Sequence, residues 1–147
     1  MKFLLLLFLC GCAAVTGSLP RWNGDPANCD YVLKKTCFKS TSIDKPDRRI
    51  VEDAFFVAEQ FWGPNILDGW IVVFEPAIHC QTSRIGCTYP DTMQISILQS
   101  GECSPAILLH EAGHPKIGDP NHTSVLWHQA DNLAAEFYHA CTHNETP

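Results

Sequence analysis

The sequence predicts one α+β domain, in which a helix, a short β-sheet, a second helix, a turn and a C-terminal helix follow one another. Three observations lead to this prediction. Apolar residues recur three and four positions apart in residues 47–61 and again in 124–141, which is the helical period. Residues 70–74 and 92–98 carry the β-branched and alternating patterns of strands. The length of 147 residues suits a single domain, which we place at residues 44–147.

Two segments precede this domain. Residues 1–18 contain one positive charge followed by a short apolar run, which is the pattern of an export signal. The run is too short to span a bilayer. Residues 19–43 contain Pro, Gly and scattered polar residues without a period, so they are predicted to be an irregular N-terminal segment.

The export signal can be processed in two ways. Leu9–Cys12 resembles a bacterial lipobox, in which a lipid on Cys12 would anchor the chain to a membrane. Ala13 then follows the lipidated cysteine, as in proteins sent to the outer membrane. Cleavage near Gly17 by an ordinary signal peptidase is the alternative, because small residues stand at the required places. The lipoprotein is favoured because it also accounts for a cysteine at this point. Both alternatives predict an exported protein, either in the cell envelope as an outer-membrane lipoprotein or secreted.

The first helix is predicted over Asp47–Phe61, where the apolar residues form one stripe. Asp44 or Asp47 can cap its start, and Gly63-Pro64 ends it. A stripe of this kind indicates a helix that packs on the core, so no chemistry is assigned to it.

The sheet is predicted from three runs between the first helix and the second. Trp70–Phe74 is rich in β-branched and aromatic residues, and Thr92–Leu98 alternates polar with apolar residues. The alternation predicts that one face of this later strand is exposed to solvent. Arg84–Tyr89 is predicted to be a short strand between them, ended by Pro90-Asp91.

The second helix contains the motif His-Glu-x-x-His at residues 110–114. Residues four apart lie on one face of a helix, so His110 and His114 can bind the same metal ion. Glu111 can accept a proton from water held at that metal. Burial of these three side chains without partners would be costly, which disfavours a core helix that carries them by chance.

Local signals predict where this helix begins and ends. Ser104 is a preferred N-cap residue, and Pro105 then takes the first helical position, where its missing N–H costs nothing. Pro115 disfavours helical geometry in the residue before it, so the helix is predicted to stop at His114. The turn residues Gly118–Asn121 follow.

The last helix is predicted from a cap at Ser124 through Cys141. Six residues are predicted to form its apolar face: Leu126, Ala130, Leu133, Ala134, Phe137 and Cys141.

Six cysteines follow the export signal, and an even number in an exported chain indicates disulfide bonds. Fifteen pairings are open to six cysteines. We predict Cys80–Cys87, which closes a short loop, and Cys103–Cys141, which joins the start of the second helix to the end of the last one. Cys29–Cys37 is then the third bond.

The order of elements and the motif His110-Glu-Ala-Gly-His114 resemble the zincin metallopeptidases, and within them the metzincins. The resemblance covers roughly residues 47–122, and the motif is its specific part. It implies a zincin-like domain that binds a zinc ion (Zn2+) through the two histidines and uses Glu111 as general base on a peptide or protein substrate. An edge strand, here Arg84–Tyr89, would pair with the substrate backbone.

Two features depart from that family. Metzincins place a third histidine six residues after the second, but here His122 follows His114 by eight. No methionine follows the motif, so the family's methionine turn is absent. His122 is still the predicted third metal ligand, because the turn before it can return the chain to the metal. Glu136, which resembles the gluzincin ligand on a following helix, and Asp119 are the alternatives.

Three functions compete on these residues. A zinc-dependent peptidase would use Glu111 to take a proton from water. A non-catalytic binding or structural lipoprotein of the cell envelope needs no carboxylate at that position, and neither does a metal-storage protein, which the seven histidines favour. The sequence therefore favours the peptidase. The formal net charge of -6 does not favour nucleic acid as a partner, and no oligomeric state is predicted.

Overall fold

The computed structural model of the protein describes residues 22–80, 85–117 and 121–143. It contains five strands in one sheet and three helices, which confirms the predicted α+β class. The export signal predicted for residues 1–18, with its two processing sites at Cys12 and Gly17, lies outside these residues. Within the described ranges, no helix has the length and apolar character needed to cross a membrane.

The sheet is mixed, and its strand order leaves one strand of the site at an edge. The strands are β1 (Tyr31–Leu33), β2 (Thr36–Ser40), β3 (Ile71–Glu75), β4 (Gly86–Tyr89) and β5 (Gln94–Leu98). In space they run in the order β1-β2-β3-β5-β4. β3 is parallel to both β2 and β5, whereas β1 pairs antiparallel with β2 and β4 pairs antiparallel with β5. β4, which overlaps the predicted strand Arg84–Tyr89, therefore lies at an edge.

Residues 31–40 form β1 and β2, although they fall in the segment predicted to be irregular. A tight turn joins the two strands, with Lys34 in the left-handed region at a φ of 51°. β2 is held by parallel pairing with β3, beginning with Cys37 opposite Ile71. These partners are distant in the sequence, so no local pattern predicts the pairing.

β5 is buried on both faces, which corrects the prediction of one solvent-exposed face. Its polar residues Gln94 and Ser96 are 6% and 2% exposed, so the face that carries them is covered as well. Gln94 Nε2 donates a hydrogen bond to Ser96 Oγ at 3.0 Å, so the two polar side chains satisfy each other. The predicted start of this strand at Thr92 is instead the 3₁₀ turn Pro90–Thr92.

The first helix, α1, spans Arg48–Trp62 and confirms the predicted helix with a shift of one residue. The carboxylate of Asp47 caps it and accepts a hydrogen bond from Arg49 N at 2.7 Å. Gly63 ends it with a φ of 120°, a conformation that residues with a side chain rarely adopt. The helix buries one face in the core: Val51, Ala54, Phe55, Ala58, Glu59 and Trp62.

The second helix, α2, is short and spans Ile107–Glu111 after the 3₁₀ turn Ser104–Ala106. The prediction that Ser104 caps the helix is wrong. Its hydroxyl instead accepts hydrogen bonds from Ser100 N and Gly101 N, both at 3.1 Å, and closes the turn before the helix. A serine can satisfy local backbone donors on either side, and here the preceding turn competes successfully.

After α2 the chain tightens into a turn that carries His114. Gly113 N donates to His110 O at 2.9 Å and His114 N donates to Glu111 O at 3.2 Å, which is 3₁₀ spacing. The α-helix therefore ends before the second histidine of the motif and not at it. Pro115 gives the reason, because its ring disfavours α-helical geometry in the residue that precedes it.

The last helix, α3, spans Val125–Thr142 and confirms the predicted cap. Ser124 Oγ accepts a hydrogen bond from Leu126 N at 3.3 Å. The predicted apolar face is wrong at its start, because Leu126 is 43% exposed whereas Trp127 is fully buried. Trp127 packs toward α2, so the buried face begins one position later than the period indicates.

All three predicted disulfides are formed. Cys29–Cys37 ties the chain before β1 to β2, and Cys80–Cys87 ties the chain after β3 to β4. Cys103–Cys141 joins the turn before α2 to the last turn of α3, with Cα atoms 5.8 Å apart. Bonds of this kind are typical of proteins in oxidising, extracytoplasmic surroundings.

Candidate metal centre

Three histidines from two parts of the chain come together beside α2. One side-chain atom of each of His110, His114 and His122 lies within 4.8 Å of the other two. Nε2 of His114 and Nε2 of His122 are 3.4 Å apart. Among the residues that the structure describes, this is the group of three side chains that could hold a metal ion. The structure therefore brings together the three residues predicted as metal ligands.

Local backbone conformation places each histidine. His110 lies on α2, and His114 lies on the tight turn that follows it. His122 lies just before α3 with a φ of 54°, in the left-handed region that few residues other than glycine enter. This conformation reverses the chain and returns the third imidazole to the first two.

Asp131 of α3 orients the ring of His110. Asp131 Oδ1 lies 2.6 Å from His110 Nδ1. When Nδ1 donates this hydrogen bond, the imidazole keeps its lone pair on Nε2, which is then the nitrogen available to a metal. No local sequence pattern indicates Asp131 as a partner of His110. It lies 21 residues from His110, and only the packing of α3 on α2 brings the two together.

His114 is held in its neutral form. Burial, followed by the proximity of His110 and His122, lowers the pKa of His114 to about 4. A positive charge on His114 is unfavourable because the ring is removed from water and lies beside two other imidazoles. A neutral imidazole has the lone pair that metal binding requires.

Glu111 faces the histidines from a buried position. Its Oε2 lies 3.8 Å from His114 Nε2 and accepts a hydrogen bond from Thr88 Oγ1 at 2.7 Å. The residue is 4% exposed. Burial raises the pKa of Glu111, and the hydrogen bond from Thr88 and the charge of His110 oppose that rise.

β4 approaches this carboxylate so closely that position 86 must be glycine. A Cβ on Gly86 would lie 2.8 Å from Glu111 Cδ and 2.8 Å from Ile107 Cγ2. Gly86 and Thr88 point to the same side of the strand, so both act on Glu111. Neither residue was predicted to belong to the site. They are two positions apart in a predicted strand, and this spacing alone indicates that they lie on the same face of it.

The donor set fits a zinc ion. Catalytic zinc sites have three protein ligands and one open position. Zinc–nitrogen bonds of about 2.0–2.1 Å in tetrahedral geometry separate two nitrogens by about 3.3 Å. The Nε2 atoms of His114 and His122 are 3.4 Å apart, close to that value. The neutral His114 and the hydrogen bond that His110 Nδ1 donates to Asp131 are further features of such ligands. The three histidines can therefore hold a metal ion.

The alternative third ligands do not join this group in the described part of the chain. Glu136 is exposed on α3 and is not among the clustered side chains. Asp119 lies outside the described residues.

The histidines and Glu111 line a cleft of about 860 Å³, which is the size of a ligand-binding pocket. One wall is β4 and the residue before it, Ile85, whose side chain is 55% exposed. Ala134, Ala135 and Tyr138 of α3 also line the cleft.

No protein-family model matches the sequence, and no curated protein matches it. A crystal structure of a Wss1 mutant from Saccharomyces cerevisiae is a structural match with 10% sequence identity. The match covers 77% of this chain and 98% of that chain, with a TM-score of 0.39. At this TM-score the likeness assigns neither a family nor an activity.

Proposed function

We propose that this protein is an exported zinc-dependent peptidase, in which His110, His114 and His122 hold the zinc ion and Glu111 is the general base. The observation that carries the proposal is the combination of three clustered imidazoles with a buried carboxylate 3.8 Å from one of them. A site that only stores metal does not need that carboxylate. A hydrolase does, because its attacking water must lose a proton.

The histidines fix the position of the metal, and their neighbours fix the histidines. A zinc ion held there would supply Lewis acidity toward a carbonyl oxygen and would make water more acidic. Asp131 keeps His110 in the tautomer whose Nε2 can bind. Three protein ligands leave a fourth position for water or substrate.

Glu111 accepts the proton of the attacking water and delivers it to the leaving amine. Its burial supports this role, because a pKa raised above the ordinary value makes the carboxylate a stronger base. Oε2, which accepts the hydrogen bond from Thr88, is also the oxygen 3.8 Å from His114 Nε2, so its second lone pair can receive the proton. Thr88 thus orients the carboxylate while part of it stays available.

The substrate is a peptide or protein segment that pairs with β4. Bonded residues alternate in an antiparallel ladder, and Leu98 N donates to Ile85 O at 2.8 Å. Two residues on, Cys87 bonds toward β5, so the backbone N–H and C=O of Thr88 point to the opposite side of the strand. An extended peptide can add there as a further strand beside the histidines.

Export is supported by the three disulfides. We propose that a lipid on Cys12 anchors the protein in the cell envelope, with cleavage near Gly17 and secretion as the alternative. Partitioning of the protein into the detergent phase, measured for the natural chain and for Cys12→Ser, tests this. Partitioning that survives Cys12→Ser contradicts the anchor.

Zinc content and peptide cleavage, measured on the purified mature protein, test the peptidase. We expect about one zinc per chain, lost when His110 and His114 are both replaced by alanine. Glu111→Gln should keep the fold and the zinc, because glutamine preserves the shape of the side chain. Its cleavage rate should fall by about 10²–10⁴-fold, because the amide cannot accept a proton. Glu136→Gln is the matched control, since this exposed carboxylate lies outside the cluster.

Two outcomes would contradict the proposal. Full cleavage activity in Glu111→Gln would show that Glu111 is not the base. Stoichiometric zinc with no cleavage of any member of a broad peptide library would support the non-catalytic binding protein instead.

A further inference from the structure

The indole of Trp127 lies against all three histidines. Its ring centroid is 4.9 Å from that of His110, 4.7 Å from that of His114 and 4.3 Å from that of His122. The three imidazoles are tilted by 40–45° to the indole plane. Trp127 is fully buried. One side chain from α3 is therefore a common neighbour of ligands that come from α2, from the turn after it and from the chain before α3.

We infer that Trp127 is a positioning residue of the metal centre, whose indole holds the three imidazoles in the arrangement that binds the metal. This inference rests on the proposed metal centre. Two physical effects support it. Contact with one rigid ring restricts the orientations of all three imidazoles together, so less freedom is lost when they bind an ion. The negative face of the indole also favours the partial positive charge that imidazoles acquire on binding a cation.

Trp127 is itself held in place by α1 and by the motif. Trp62 of α1 lies behind it, with ring centroids 5.5 Å apart, and Trp62 Nε1 donates to Leu109 O at 2.6 Å. Gly113 fits against both indoles, because a Cβ there would lie 2.5 Å from Trp62 Cζ2 and 2.8 Å from Trp127 Cζ3. The indole that contacts the histidines is thus fixed on the side away from them.

The choice of tryptophan at this position carries a cost that packing alone does not explain. Trp127 Nε1 is buried and has no hydrogen-bond partner among the described residues. A buried N–H without a partner is unfavourable, and a phenylalanine would fill an apolar site without that cost. The indole, however, is the larger ring, and its size allows one side chain to contact three imidazoles.

Zinc affinity measured by competition with a chromophoric chelator tests this role on the mature protein. We expect Trp127→Leu, which keeps an apolar side chain but removes the ring, to weaken zinc binding about 10-fold or more. Trp127→Phe should recover part of that loss, because it restores an aromatic face. Trp70→Phe is the matched control. It changes another buried indole, for which no contact with a histidine ring is found in the described part of the chain, and should leave the affinity within about 3-fold of wild type.

Tryptophan fluorescence gives a second measurement that needs no activity. Co²⁺ quenches nearby indoles, and of the four tryptophans Trp127 contacts the ligand rings. We expect Trp127→Phe to lose most of the quenching that Co²⁺ causes in the wild type, and Trp70→Phe to keep it. If Trp127→Leu does not fold, the zinc affinity of Trp127→Phe relative to wild type decides the question, because quenching reports only that the indole lies near the ion.

The outcomes separate this role from the metal centre itself. A folded Trp127→Leu that binds zinc with wild-type affinity overturns the role of Trp127 alone, and so does unchanged Co²⁺ quenching in Trp127→Phe. A wild-type protein that binds neither ion overturns the metal centre and the role of Trp127 with it.

Discussion

The hydroxyl of Thr88 is the closest side-chain partner of the Glu111 carboxylate. It donates to Oε2 at 2.7 Å and lies 3.2 Å from the backbone carbonyl oxygen of the same residue. A hydrogen bond to a charged group contributes about 1.5–3 kcal/mol, more than one between neutral groups. This contact therefore sets both the orientation of the carboxylate and its affinity for a proton.

Thr88→Val should therefore lower kcat about 10-fold while KM changes little, because the loss falls on the proton acceptor and not on substrate binding. The acid limb of the rate profile should move to higher pH. Donation from Thr88 lowers the pKa of Glu111, so its removal lets burial raise that pKa further. Steady-state kinetics between acid and neutral pH measure both effects.

Thr88→Ser is the matched control, because serine keeps the donor and loses only a methyl group. It should restore kcat to near the wild-type value. If valine and serine reduce kcat equally, the methyl group matters and the hydrogen bond does not.

His110, Glu111 and His114 could be found from the sequence because their chemistry lies within five consecutive residues. Asp131 and Thr88 could not, because each contacts the motif from another element, 21 and 23 residues away. A local pattern reports which side chains share a helix face. It does not report which side chain of another element will lie against that face.

The turn after α2 packs against two indoles, which is possible because Gly113 has no side chain. Alanine there would bring its Cβ within 2.8 Å of Trp127 Cζ3 and closer still to Trp62. Neither indole can move freely, because each is buried. The fit of α2 against α1 and α3 therefore depends on this one glycine.

Gly113→Ala should lower the free energy of unfolding by about 1–3 kcal/mol, the usual cost of overpacking a core. In an unobstructed helix the same substitution has the opposite effect, because alanine is about 1 kcal/mol more favourable there than glycine. Urea unfolding of the metal-free protein measures it. Gly101→Ala is the control, because a Cβ at that position meets nothing within 4 Å. A stabilised Gly113→Ala would contradict the packing described for this helix.

The helices α1 and α3 were predictable because their boundaries are set by residues next to them, Asp47 and Gly63 for one and Ser124 for the other. β1 and β2 were not, since β2 exists through pairing with β3. The predicted cap of α2 failed for a related reason. Ser104 has two sets of backbone donors within reach, and local preference does not say which set it will bond.

The site is assembled from the edge strand β4 and from the two later helices, α2 and α3. β4 supplies Thr88, α2 and its turn supply the motif, and α3 supplies Asp131 and Trp127. The core between α1 and the sheet supports these elements from behind. Correct docking of α3 on α2 is therefore a condition for the metal centre, and Cys103–Cys141 is the covalent bond that enforces it.

Removal of this bond should cost more stability than removal of either short-loop disulfide. Cys103 and Cys141 are 38 residues apart, so the chain-entropy estimate for replacing both by alanine is a loss of about 4 kcal/mol. For Cys29 and Cys37, which are 8 residues apart, the same estimate is about 2.5 kcal/mol. Urea unfolding compares the two double variants directly. The comparison is matched, because each variant places one alanine at a position that is at least 90% buried, Cys103 in one and Cys37 in the other.

The same pair of variants separates general stability from the docking of α3. Without Cys103–Cys141, α3 can move relative to α2, and Asp131 and Trp127 move with it. We therefore expect the Cys103→Ala, Cys141→Ala variant to release zinc at a lower chelator concentration than wild type while it is still folded. The Cys29→Ala, Cys37→Ala variant should retain zinc as wild type does, because β1 and β2 supply no residue to the site. Equal zinc retention in both variants would mean that packing alone docks α3, and the bond would then contribute to stability only.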